Sequence, residues 1–249
     1  MTPNSKFKLC ISEQHCHHHA DGILKKHNNV FENFMKSLSN EVLLEVSERT
    51  KQGKVSHGIT ANSLNKEIRR ILAEIPNIQF EVDQTDGIYY KSEKIIGFDF
   101  ALIDKKFNLY TLRNLCFGNK RLFIGEEIWD EYLRKHPDYK AIANETGLPR
   151  SDLINGDIHT QREMPVIVGE IQFGNWALAY RDFFKVLKAN VLTDVDLLIY
   201  ITADNNLASK LSDGIVTFKQ SKEIITEFAK VITVPIWLIG IDLIENQDS

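Results

Sequence analysis

The chain has 249 residues, 43% hydrophobic and 26% charged, ordinary values for a globular protein that can bury a substantial core in one large domain. A formal charge of −4 excludes nucleic-acid binding by bulk attraction, though local basic patches and metal-neutralised carboxylates stay possible. No apolar run approaches the ~20 residues of a membrane-spanning helix, and no ordinary signal-peptide pattern opens the chain. Cys10, Cys16 and Cys116 cannot all pair and lack CxxC spacing, so a reduced, cytoplasmic setting is expected.

No internal repeat or low-complexity linker interrupts the chain. Its one biased segment is "HCHHH", His15 to His19. Adjacent residues do not converge easily on one tetrahedral ion, so a solvent-facing or locally packed segment is expected there rather than zinc. From Val30 to about Lys51, Phe31, Phe34, Leu38, Val42 and Val46 recur at helical steps. A second helix is expected over Ala61 to Glu74, with Leu64, Ile68, Ile71 and Leu72 inward and Pro76 ending it. Residues 1–75, approximately, thus read as a mostly helical annex to a sheet-containing core over about 78–249, the whole forming a single domain.

Short strands follow in "IQFEV", "KIIGFDFALID" and "NLYTL", the last two joined as a hairpin by Lys105-Lys106-Phe107. Gly125 to Asn144 is helical and strongly charged, and "GLPRSDLINGD" is loop. The last third alternates: strand Val166–Phe173, helix Trp176–Ala189, strand Val195–Thr202, helix Lys219–Ile232, strand Val234–Ile241. That pattern predicts an α/β fold with parallel pairings, or α+β if the earlier strands pair antiparallel.

Glu170 and Gln172 stand two apart in the strand "VIVGEIQF" and so project to one face. An unpaired buried carboxylate costs several kcal/mol, so a partner for Glu170 is expected, and a divalent metal is one candidate. A second carboxylate would complete such a site. Asp157, in "INGDIH", is close enough upstream for a strand and a return; Asp99, in "IIGFDFALID", is the alternative, and Asp152 a weaker one. Asp86 with Asp104-Lys105-Lys106 forms an independent D…D-x-K match that ranks below Glu170, because no strand-to-helix transition follows it. Phosphodiester hydrolysis uses such parts: carboxylates to hold metal and a polar group to orient water.

The pattern Asp157…Glu170-x-Gln172 resembles the PD-(D/E)XK nuclease superfamily. "VGEIQFGN", "AYRDFFKVLKAN" and "VDLLIYIT" are similar to the core of type II restriction endonucleases of the BamHI and BglII kind, over about Ile154 to Ile241. One departure is Gln172, where most of the superfamily carries lysine; the BglII kind accepts this exchange, and glutamine can hydrogen-bond a water without supplying charge.

The resemblance implies a Mg²⁺-dependent, sequence-specific endonuclease of a restriction system that cuts double-stranded DNA, leaving 5′-phosphate and 3′-hydroxyl ends. Asp157, Glu170 and the main-chain carbonyl of Ile171 would ligate the metal, and Gln172 would position the attacking water. Asn175 would contact bases. Two-fold symmetry matched to a palindromic target implies a homodimer.

The helix after the strand carries Trp176, Tyr180, Phe183, Phe184 and Leu187 as an apolar stripe. Arg181, Lys185 and Lys188 on another face suit phosphate contact, or else form a solvated face. Asn205, Asn206, Ser209 and Lys210, in "DNNLASKLSDG", read as a long loop, which the resemblance implies is directed at DNA. His159 is expected at the surface. The alternatives are a repair or structure-specific nuclease with the same core, and a non-catalytic DNA-binding protein of nuclease-like fold.

Overall fold

The computed structural model describes residues 4–51, 54–85, 88–91, 97–148, 156–192 and 194–244. Asp86, Asp152 and most of the "GLPRSDLINGD" segment lie outside the described residues.

The first third is mixed rather than the mostly helical annex expected. Strand β1 (Asn4–His17), helices α1 (Ala20–Lys26) and α2 (Asn28–Ser37), strands β2 (Glu41–Lys51) and β3 (Lys54–Ile59) and helix α3 (Ala61–Leu72) follow one another. The helix expected to run to about Lys51 therefore stops at Ser37. Val42 and Val46 are four apart, an even spacing that suits a strand as well as a helix. Val42 and Leu44 are buried while Leu43 between them is exposed, the alternation of a half-buried strand. α3 forms where expected, with Thr60 Oγ1 accepting the Ser63 N–H at 3.1 Å as its amino-terminal cap.

Strands β4 (Ile78–Thr85), β5 (Ile88–Lys91) and β6 (Phe98–Leu102) come next. The expected hairpin is instead helix α4 (Lys105–Phe117), which absorbs both the presumed turn and "NLYTL". Asp104 Oδ1 accepts the Phe107 N–H at 2.9 Å, and Leu109, Leu112, Cys116 and Phe117 are buried. A capped helix satisfies backbone groups that five residues of alternation leave open. Helices α5 (Gly125–Lys135) and α6 (Pro137–Glu145) divide the charged stretch at Pro137, which removes an N–H and so begins a helix rather than continuing one. These helices share a small core that includes Ile88 of β5.

The last third follows the sequence closely: strand β7 (Ile167–Gln172), helix α7 (Ala177–Leu192), strand β8 (Leu197–Ala203), short helix α8 (Asn205–Lys210), helix α9 (Phe218–Glu227) and strand β9 (Ile236–Ile244). Only α8 differs, standing where a long loop was expected. The described strands form one sheet in the order β3-β2-β1-β9-β8-β7-β6-β4-β5. β7, β8 and β9 run parallel, and the other pairs are antiparallel. Phe34, Leu38, Leu64 and Ile68 cover one face of the sheet. Phe183, Val186, Ile224 and Ile225 of α7 and α9 cover the other, against Val168, Leu198 and Tyr200.

β7 and β6 approach closely because residue 169 is glycine: a Cβ there would run into the Phe100 ring across the strand pair. Both positions are in the packed centre, where added volume has nowhere to go. Gly169→Ala is expected to lower unfolding stability by at least about 1–3 kcal/mol. A urea midpoint equal to that of the parent protein would refute this tight approach.

Candidate active site

Every residue of β7 is buried, so its polar members must find partners inside the protein. Val168 packs among the α7-facing core residues and Ile171 among those of the opposite face. Glu170 and Gln172 share the parity of Val168 and project toward α7.

The pairing of Phe100 with Gly169 and of Ala101 with Val168 brings Asp99 across from Glu170. Asp99 Oδ2 accepts the Ile171 N–H at 2.8 Å, and its Oδ1 accepts from Arg69 Nη2 at 2.7 Å. Arg69, on α3, also bonds Glu81 of β4. Glu81 comes opposite Asp99 between the Phe80–Phe100 and Val82–Phe98 pairs. It has φ of 54°, a left-handed conformation that costs a non-glycine residue about 1–2 kcal/mol. Glu81, Asp99 and Glu170 thus form a row of acids across β4, β6 and β7.

α7 supplies the other half of the site. Asp182 is fully buried; its Oδ2 accepts from Gln172 Nε2 at 2.8 Å and from Tyr200 Oη at 3.4 Å. Its Oδ1 accepts from Arg181 Nη2 at 3.0 Å. Gln172 Oε1 accepts the Gly174 N–H at 2.8 Å, so both ends of the amide are held. Lys185 Nζ lies 2.5 Å from Glu170 Oε1, donates to the Gly97 carbonyl at 2.8 Å and sits 5.2 Å from the Phe98 ring centroid. Glu170 Oε1 has this ion-pair contact but no hydrogen bond of good angular geometry.

Burial pushes the Glu170 carboxyl well above the usual carboxylate range; Lys185 opposes the shift, and the Asp99 and Asp182 charges add to it. Asp99 is also raised by burial, against the Ile171 N–H, Arg69 and Lys185, with Glu81 adding to the rise. Burial likewise raises Tyr200, and the Asp182 charge beside it adds to the effect. The site resists accumulating further negative charge without a cation.

The structure brings Glu170, Gln172, the Ile171 backbone and Asp99 together, but not Asp157. Asp157 is exposed and accepts from the Asn119 backbone N–H at 2.9 Å, tying its loop to the end of α4. The charges acting on Glu170 come from Lys185, Asp99 and Asp182. Asp99, the alternative, therefore stands where Asp157 was expected. Lys185, read from the sequence as a phosphate contact or else part of a solvated face, turns inward to Glu170. Trp176 and Phe184, assigned to the apolar stripe, are instead exposed.

Asn175, just after β7, is exposed, and its Oδ1 accepts the Ala177 N–H at 2.9 Å. Arg181 is exposed beside Asp182. Asn205, Asn206 and Ser209 are exposed on α8, which Lys210 ends. His159 is exposed, as expected. In the histidine-rich segment His17 Nε2 lies 3.0 Å from the Ile232 carbonyl, and His18 Nε2 makes the same contact with Ala229. Among the described residues no group of three or more His, Cys, Asp or Glu is arranged to hold a metal ion. Mg²⁺ needs only one or two carboxylates, the rest of its shell being water, so the Asp99–Glu170 pair fits it.

The family model for restriction endonuclease BglII/BglIII matches residues 12–241. The chain belongs to this family. It is a type II site-specific deoxyribonuclease of a restriction system, which decides against the repair and non-catalytic alternatives. Restriction endonucleases of this family are generally dependent on a divalent metal. Among solved structures, the chain is similar to restriction endonuclease BglII complexed with a DNA 16-mer, at 18% identity and a TM-score of 0.48, covering 97% of this chain and 80% of that one. It is also similar to free BglII, at 14% identity and a TM-score of 0.43, covering 97% and 82%. No curated protein matches the chain.

Asp182 was invisible as a site residue because "RDFFK" reads as a helix surface. In the fold it is the acceptor that orders Gln172 and Tyr200. Asp182→Ala is expected to lower stability by about 1–3 kcal/mol by leaving two buried donors unpaired. Chemical unfolding measures this, and an unchanged midpoint would mean that the two donors find other acceptors.

Proposed function

We propose that the enzyme cuts palindromic double-stranded DNA as a Mg²⁺-dependent homodimer, with Asp99 and Glu170 as its acidic pair and residues 1–249 forming one nuclease domain. The observation that carries this reading is the buried Glu170 carboxylate facing Asp99 across β6 and β7, with one of its oxygens lacking a well-formed hydrogen bond. Asp99, Glu170 and the Ile171 main-chain carbonyl would hold the metal. When bound, the ion supplies a lowered water pKa and neutralises charge growing on the phosphate. Gln172 keeps one amide N–H after bonding Asp182, and that donor holds the attacking water. In-line attack leaves 5′-phosphate and 3′-hydroxyl ends.

DNA would lie along the carboxyl-terminal ends of β7 and β8. Asn175 follows one strand, and Asn205, Asn206, Ser209 and Lys210 follow the other. The isolated bridge between Asn175 and Ile215 gathers these segments. Asn175 suits a base edge, and Arg181 with Lys188 suits phosphates. No helix among the described residues is long and apolar enough to cross a membrane; a restriction enzyme guarding DNA is placed in the cytoplasm.

The dimer face we assign to α7 and α9. Phe184, Val191, Leu192 and Val231 are exposed, beside an apolar cleft that includes Tyr180, Leu187 and Phe228. A patch of this kind marks an interaction surface. A two-fold axis would pair this patch with its own copy. Phe184→Glu should sediment as a monomer and lose double-strand cleavage; a dimer of unchanged stability would move the interface elsewhere.

Plasmid digestion tests the chemistry. Discrete fragments are expected with Mg²⁺ and none with chelator. Glu170→Ala and Asp99→Ala should each lose at least about 10³-fold in rate. Asp157→Ala should keep its activity within about tenfold, since it loses only loop contacts. Full activity in Asp99→Ala, or loss confined to Asp157→Ala, would reverse the assignment of the acidic pair.

A further inference from the structure

Lys185 is the one α7 cation whose side chain is drawn inside; it is 17% exposed, against 57% for Arg181. Its ammonium is held from three sides. Glu170 Oε1 is at 2.5 Å, the Gly97 carbonyl at 2.8 Å and Asp182 Oδ1 at 4.0 Å, with the Phe98 ring beneath it. Its position also makes it a source of positive potential for Asp99. Gln172 occupies the motif position next to Glu170 and brings no charge. The cation that meets Glu170 therefore comes from the following helix, three residues beyond Asp182.

We infer that Lys185 is the resident counter-ion of Glu170 and holds a carboxylate oxygen for which a divalent ion would compete. This rests on the reading of Asp99 and Glu170 as metal ligands. The ammonium and the metal ion compete for one anionic oxygen, and two cations on it repel strongly in a buried setting. Lys185 thus performs two tasks. It holds the folded, metal-free protein together by compensating a buried carboxylate, and it sets the threshold of metal concentration at which the site loads. A lysine suits both: its compact charge rides on a flexible stem that can withdraw. Arg181 and Lys188, which line the same surface groove as Lys185, show the way out.

The experiment follows thermal unfolding of the full chain against Ca²⁺ concentration, which requires no turnover and reports binding through stabilisation. Lys185→Met is expected to melt lower than the parent without metal, and to reach half of its Ca²⁺ stabilisation at a concentration at least about tenfold lower. Lys185→Arg, which keeps the charge, should titrate near the parent. If Lys185→Met does not fold alone, it should refold on adding Ca²⁺; a chain still unfolded at saturating Ca²⁺ overturns the inference. So does a Lys185→Met midpoint equal to the parent's. Glu170→Gln separates the two levels. Loss of its Ca²⁺ response, with Lys185→Met unmoved, sinks only the role of Lys185. A Ca²⁺ response undiminished in Glu170→Gln removes the metal-site reading itself.

Discussion

A carboxylate on a central strand is expensive to bury, and the arrangement around Glu170 answers that cost. β7 is buried throughout, so Glu170 cannot reach bulk water and must be matched by groups carried on other elements. α7 does this with Lys185, while β6 brings Asp99 and with it the Arg69 guanidinium from α3. The compensation is partial. Asp99 and Asp182 raise the Glu170 carboxyl further, and one oxygen remains without a good hydrogen bond. A protein selected only for stability would replace this cluster with aliphatic side chains, a change that is often neutral or stabilising. On the proposed reading, this strain is retained because a divalent ion would relieve it, a pattern common at functional sites.

The sheet makes the cluster possible by joining remote pieces of chain. Ile171 and Asp99 are 72 positions apart, yet they share a hydrogen bond because β6 and β7 are direct antiparallel neighbours. The intervening α4, α5 and α6 leave after Leu102 and the chain returns before Ile167. This end of the strand pair lies away from the acids, so the helical insertion pairs the two strands without entering the site. Gly169 lets the Phe100 ring lie across the junction. At the other edge β1 sits between β2 and β9, so the amino-terminal segment completes the sheet and buries Leu9 in the core that Trp237 shares.

Much of the carboxyl-terminal third could be read from the residues, because long apolar runs and a helical repeat have only one sensible partition there. Strand parity alone put Glu170 and Gln172 on one face. The amino-terminal third was less legible for a definite reason: Val42 and Val46 satisfy two periodicities at once, and only the exposure of Leu43 separates them. "NLYTL" failed in the same way, as the Asp104 cap outweighs a short alternation. Asp157 was favoured over Asp99 by nearness along the chain, a cue that means nothing once an insertion separates paired strands. Lys185 was legible as a charge but not as a direction, since nothing in "RDFFKVLK" says that Asp182 and Lys185 face the sheet.

These misreadings share one cause, and it bears on how the site works. Local patterns report what a segment does with its own backbone and its nearest apolar neighbours. A buried charge reports on whatever lies across the fold. Gln172 makes the point within a single residue: as a strand position it is unremarkable, yet its amide is fixed at one end by Gly174 and at the other by Asp182. Its orientation is fixed by the fold, so in the role proposed for it little would need to be reorganised when a water and a phosphate enter. Asp182 in turn is constrained by Tyr200, whose ring stacks on Phe183 at 5.0 Å. The geometry of the reacting groups is thereby anchored in the packing between α7 and β8, and a change in that packing would reach the chemistry without touching a residue of the motif.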